Sequence, residues 1–123
     1  MDKDSKSGVS KAAKVIDNAI GIIERYGWIR RKSGNEIDGF CLMGALNKAA
    51  SGLVTDSYRV FRQFPILTGV VGRSLCISNE NVDLECDSEV RSEVIEFNDR
   101  RCASKTEAIE FLTEVKKKLV EGV

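Results

Sequence analysis

The stretch Gly39–Ala50, GFCLMGALNKAA, constrains this chain most, with Leu53 just beyond it. Leu42, Leu46, Ala49 and Leu53 recur at i, i+4, i+7 and i+11, the spacing of one helix face, and Met43 and Ala50 widen that face. Cys41, Gly44 and Ala45 place small side chains toward another side. A helix that is apolar on several sides has to be enclosed by other elements rather than laid against one of them. The expected fold is therefore mainly α, a compact bundle of four to five helices around this central one.

The rest of the chain supplies the enclosing elements. Residues 1–8 are polar and read as a flexible lead, leaving 9–123 as a single globular helical domain, enough chain for one core. Ser10 is expected to cap a helix reaching about Tyr26, with Ala12, Ile16, Ala19, Ile20 and Ile23 as its stripe and Gly27 as its stop. Gly21 and Gly44, each interior to a helix, suggest that the first and central helices cross closely there. Ser57, with Thr55 and Asp56, offers a cap for a short helix carrying Tyr58, Val60 and Phe61, which Pro65 ends or bends. Between Ser74 and Cys86, SLCIS and VDLEC flank Asn79-Glu80-Asn81 and read as a small β-hairpin that could bring Cys76 opposite Cys86. Asp87 or Ser88 caps a further helix with Val90, Val94 and Phe97 inward. Ser104-Lys105-Thr106-Glu107 is a capping box opening the last helix, whose stripe is Ala108, Phe111, Leu112, Val115 and Leu119.

Composition narrows the chemistry. Nineteen basic and nineteen acidic residues cancel, so the chain has no general pull toward nucleic acid or acidic membranes. No apolar run approaches the length of a membrane span, and the polar N-terminus lacks a signal-peptide core, so a cytoplasmic protein is expected. There is no histidine, which removes Ser-His-Asp and Cys-His catalysis and every histidine metal site. The four cysteines lie too far apart for a metal-binding pair, and no cofactor motif is present.

Gly27-Trp28, then Gly39-Phe40-Cys41-Leu42-Met43-Gly44-Ala45-Leu46, then Phe97-Asn98-Asp99 before a capped last helix form a recurring order. In this order the chain resembles a family of small helical domains of unknown function from bacteria and their phages. The resemblance runs from the first helix to the last. It departs at Phe97, where the family usually has tryptophan, and in a longer segment between Val54 and Cys86. It implies a mostly helical fold and no established activity.

Several residues admit a structural and a functional reading. Cys41, at the start of a helix whose dipole would lower its pKa, is a candidate reactive thiol or a small packed side chain. Asn98 and Asp99 either hold a ligand or satisfy backbone groups between two helices. Trp28 is a stacking platform or a core plug. Arg30, Arg31 and Lys32 form one basic cluster and Arg100 with Arg101 another, with Glu36, Asp38, Glu96 and Asp99 near enough in sequence to neutralise them. Brought together beside Trp28, the two clusters would suit a phosphate. The expected function is a non-enzymatic binding or regulatory module acting through a protein partner, in an accessory role such as a phage-associated protein would have. The alternatives are a binder of a nucleotide or other phosphorylated small ligand through the basic clusters and Trp28, and a histidine-independent enzyme using Asp99 and Cys41. The sequence leaves the oligomeric state open.

Overall fold

A computed structural model describes residues 2–52, 57–75 and 86–121. Among these residues the chain forms six α-helices: α1 Asp2–Tyr26, α2 Leu42–Ser51, α3 Arg59–Gln63, α4 Pro65–Ser74, α5 Asp87–Glu96 and α6 Lys105–Glu121. Two short strands, β1 Gly34–Asn35 and β2 Gly39–Phe40, pair antiparallel between α1 and α2. A five-residue π-turn, Phe97–Arg101, joins α5 to α6.

Helix α2 is the enclosed element. Leu42 through Asn47 are all buried, because α1, α3 and α5 cover it on successive sides. Cys41 is its N-cap rather than an interior residue: its backbone is extended, and Sγ accepts the Gly44 N–H at 3.2 Å. At the other end Gly52, at φ +80°, returns its N–H to the Lys48 carbonyl.

Helix α1 starts upstream of Ser10, which therefore sits inside it rather than capping it. Its stripe packs as expected, with Ala12, Ile16, Ala19 and Ile23 fully buried, and it ends at Gly27, whose N–H bonds the Ile23 carbonyl at 2.8 Å. Helix α6 lies along α1 and α4 and buries all five residues of its stripe. Ser104 Oγ accepts the Glu107 N–H at 3.2 Å, as the capping box requires.

The expected close crossing at the two interior glycines is not what the structure contains. A side chain at Gly21 would meet nothing, whereas a Cβ at Gly44 would overlap the Ser33 carbonyl. At Gly44 the close neighbour of α2 is the loop before it rather than α1. Pro65 opens α4 at its first turn, where its missing N–H costs nothing. It thus separates α3 from a helix that the short apolar run Ile66–Val71 did not identify. The hairpin among the described residues is at 34–40; of the one expected at 74–86, Ser74 belongs to α4, and residues 76–85, with the Cys76–Cys86 pairing, lie outside the described residues.

Candidate functional site

The strap after α1 and the π-turn after α5 are held to each other and to the start of α2 by one side chain. Asn98 is 1% exposed. Its Oδ1 accepts the indole N–H of Trp28 at 2.6 Å and the backbone N–H of Leu42 at 3.0 Å. Its Nδ2 donates to the Ile29 carbonyl at 3.1 Å and to Asp99 Oδ1 at 3.0 Å. The amide therefore has two donor and two acceptor bonds, its full capacity. Leu42 N–H is one of the first-turn donors that an α-helix cannot satisfy internally, so Asn98 caps α2 from fifty-six residues away.

The sequence pattern places Phe97 inward and leaves Asn98 to the turn; in the structure both pack inward, Asn98 the more deeply. The buried row on α5 continues Val90, Val94, Asn98, while Phe97 is half-buried with its ring 4.8 Å from that of Phe111. The π-turn is closed by Cys102 N–H to the Phe97 carbonyl at 2.8 Å, and Asn98 continues the i, i+4 row of α5 into it.

Asp99 uses the same carboxylate oxygen twice. Oδ1 accepts from Asn98 Nδ2 and from the backbone N–H of Arg31 at 2.8 Å. Asp99 thus satisfies a backbone group, as one of its two sequence readings has it, and that group belongs to the strap after α1. Arg31 is left-handed, φ +66°, the one described non-glycine residue with positive φ. Arg30 reaches the Cys102 carbonyl with a guanidinium N–H, and its guanidinium lies 5.3 Å from the Trp28 ring. Arg101 sits 5.5 Å over Phe97 in the same way.

The two basic clusters are thus brought alongside each other. Arg31, Lys32, Arg100 and Arg101 are exposed, and no salt bridge among the described residues uses them. Of the nearby acids, Glu36 pairs with Lys48 at 3.8 Å and Asp38 accepts from Asn35 Nδ2 at 3.1 Å, while Glu96 is exposed one turn before Arg100.

Trp28 is neither a simple plug nor an open platform, since its N–H is bonded and one face is covered by Arg30. Cys41 is 5% exposed and bonded as a cap. Cys102, which the sequence did not single out, is fully buried, with its thiol donating to the Ser104 carbonyl; burial raises its pKa above the usual value, outweighing the lowering effect of the Ser104 backbone. No cluster of metal-ligating groups occurs among the described residues. A cavity of about 530 Å³ opens between Ser57 and Tyr58 before α3 and Ser88, Glu89, Arg91 and Ser92 on α5, and none of the site residues expected from the sequence lines it.

A second buried asparagine was also missed. Asn47 accepts the Val60 N–H at 2.8 Å and donates to the Ser57 carbonyl at 2.8 Å, fixing the start of α3 against α2. An uncharged polar residue one position after Leu46, at the edge of an apolar run, was the signal that could have found it.

Residues 9–118 match the profile of a family of unknown function, DUF6197. The chain belongs to that family. The match spans both halves of the clasp, Trp28 to Arg31 and Asn98 to Cys102, so the DUF6197 region contains the whole candidate site. No curated protein matches the chain, and no solved structure does. Among the described residues of this DUF6197 protein, no helix is long and apolar enough to cross a membrane.

Proposed function

We propose that this protein is a non-enzymatic binding module that acts on a protein partner through the edge where the 28–33 strap meets the π-turn. One observation carries the reading: four exposed cations stand on two segments that the buried, fully bonded Asn98 locks together. A surface held this firmly loses little entropy when a partner docks. The groups an enzyme would need are in use elsewhere: Asp99 Oδ1 holds two N–H groups, and Cys41 is a buried cap. An accessory role for a bacterial or phage protein is part of the same proposal.

The test is a photo-crosslinking amino acid placed at Lys32, with a control at Lys117 near the far end of α6. Discrete cross-linked protein in cells at Lys32 and not at Lys117 is the expected result. Equal cross-linking at both positions, or none at Lys32, overturns it. The convergence of Arg31 with Arg100 and Arg101 also favours a second reading, a phosphorylated small ligand. A nucleotide-induced thermal shift that disappears in Arg31→Ala and Arg101→Ala would support that reading instead.

A further inference from the structure

The partner's chemistry can be read from this edge. Resting on the reading above, we propose that the strap and π-turn dock an acidic segment of the partner protein, with Arg31, Lys32, Arg100 and Arg101 as its cations and Arg31 as the specificity-determining side chain.

Charge complementarity is the first ground. The chain is neutral overall, with 19 basic and 19 acidic residues, so the concentration of four exposed cations here is local. The acid between the clusters, Asp99, lends one oxygen to Arg31 N–H and Asn98 Nδ2, which makes it a backbone anchor. Glu36, on the hairpin beyond the strap, is drawn to Lys48. Arginine presents a planar fork of N–H donors that matches a carboxylate with two parallel bonds.

Arg31 supplies the second ground. Its backbone is left-handed at φ +66°, a conformation suited to glycine or asparagine, and its N–H is pinned by Asp99. A turn needing only that backbone would be met by glycine. With arginine in place, the conformation and the pin instead set the direction in which an exposed guanidinium leaves the strap.

The aromatic groups decide between an acidic peptide and a nucleic acid. Single-strand binders stack bases on open rings beside a cationic groove. Here one face of Trp28 lies under Arg30 and its N–H is spent on Asn98, while Phe97 is flanked by Arg101 and Phe111. The cations remain available without the stacking platform, and that combination suits carboxylates.

The experiment is fluorescence anisotropy of the full chain with a fluorescein-labelled decaglutamate peptide. Competitors are a single-stranded oligothymidylate of the same length and inorganic phosphate. Expected is saturable binding that weakens as salt rises from about 50 to 200 mM. Arg31→Gly, which the left-handed backbone accommodates, should weaken it about tenfold, as should the pair Arg100→Ser with Arg101→Ser. Lys117→Ser with Lys118→Ser should leave it unchanged. Absence of peptide binding, equal loss in the Lys117 and Lys118 control, or tighter binding of the oligothymidylate through the same residues overturns the proposal. Cross-linking at Lys32 without decaglutamate binding would remove the acidic partner while leaving the docking edge in place; no cross-linking at Lys32 removes the edge itself.

Discussion

Trp28 and Asn98, seventy residues apart in sequence, are joined by a 2.6 Å hydrogen bond from indole Nε1 to the amide Oδ1. The same oxygen takes the first N–H of the central helix, and the same amide nitrogen holds the Ile29 carbonyl. The strap, the π-turn and α2 therefore meet at one side chain, and displacing any of them disturbs the other two.

The relative cost of breaking that junction follows from what is left unbonded. Asn98→Ala strands the Leu42 N–H, the Ile29 carbonyl and the indole N–H, and should cost about 3 kcal/mol. Trp28→Phe removes a single donor, leaves the rest of the amide bonded, and should cost about 1 kcal/mol. Urea denaturation of the two variants measures both. An Asn98→Ala loss no larger than that of Trp28→Phe would show that the amide does not organise the corner.

The helices α1 and α6 were legible because their apolar residues obey the helical period, whereas the apolar run of α4 was too short to show one. The central helix was legible for the same reason as α1 and α6. Its start at Cys41 was legible too, but not the capping bond in which the sulfur accepts Gly44 N–H. The π-turn was illegible in principle. One extra residue in a turn leaves no mark on composition. The candidate site was named in its residues, from Trp28 to Arg101, but not in its wiring. Long-range bonds such as Arg31 to Asp99 depend on how α1 and α5 are placed, which no local pattern carries.

Gly44 and Gly21 should respond oppositely to alanine. At Gly44 a methyl group overlaps the Ser33 carbonyl, which is backbone and fixed by its bond from Cys41 N–H at 3.2 Å, so Gly44→Ala should cost about 2 kcal/mol or more. At Gly21 there is open space within a helix, so Gly21→Ala should gain about 0.5–1 kcal/mol. Thermal melts of the pair test this, and a stabilising Gly44→Ala would rule out the close approach of strap and helix.

The cysteines should differ in reactivity. Cys41 and Cys102 are buried and Cys86 is half-buried, so a thiol reagent on the native protein should modify Cys86 well before either. Cys102 adds a pH dependence whose sign is fixed. Its folded pKa is raised above the ordinary 9.0, so the unfolded chain loses this proton first, and stability falls as pH rises above 9.0. In Cys102→Ala that alkaline decline should be shallower. Mass spectrometry after brief labelling, and melts across alkaline pH, provide the readouts; early labelling of Cys41 would restore it as a reactive thiol.

Arg31 and Asp99 form the most informative pair. Taken alone, Arg31→Gly should change stability by less than about 0.5 kcal/mol. The relief of the left-handed backbone, about 1 kcal/mol, is offset by the extra freedom of glycine in the unfolded chain. Asp99→Ala removes the acceptor for Arg31 N–H and Asn98 Nδ2 in a half-exposed place. Its cost should be modest, about 1 kcal/mol, because the released strap relaxes Arg31 out of its left-handed conformation and recovers part of the loss. In the Arg31→Gly background there is no such strain to recover. Asp99→Ala should therefore cost more there, by about 0.5–1 kcal/mol, a coupling that a double-mutant cycle in urea resolves. Additive losses would mean that Arg31 is held left-handed by the rest of the strap and not by Asp99. A loss that was smaller in the glycine background would reverse the assigned relation between the carboxylate and the strained backbone.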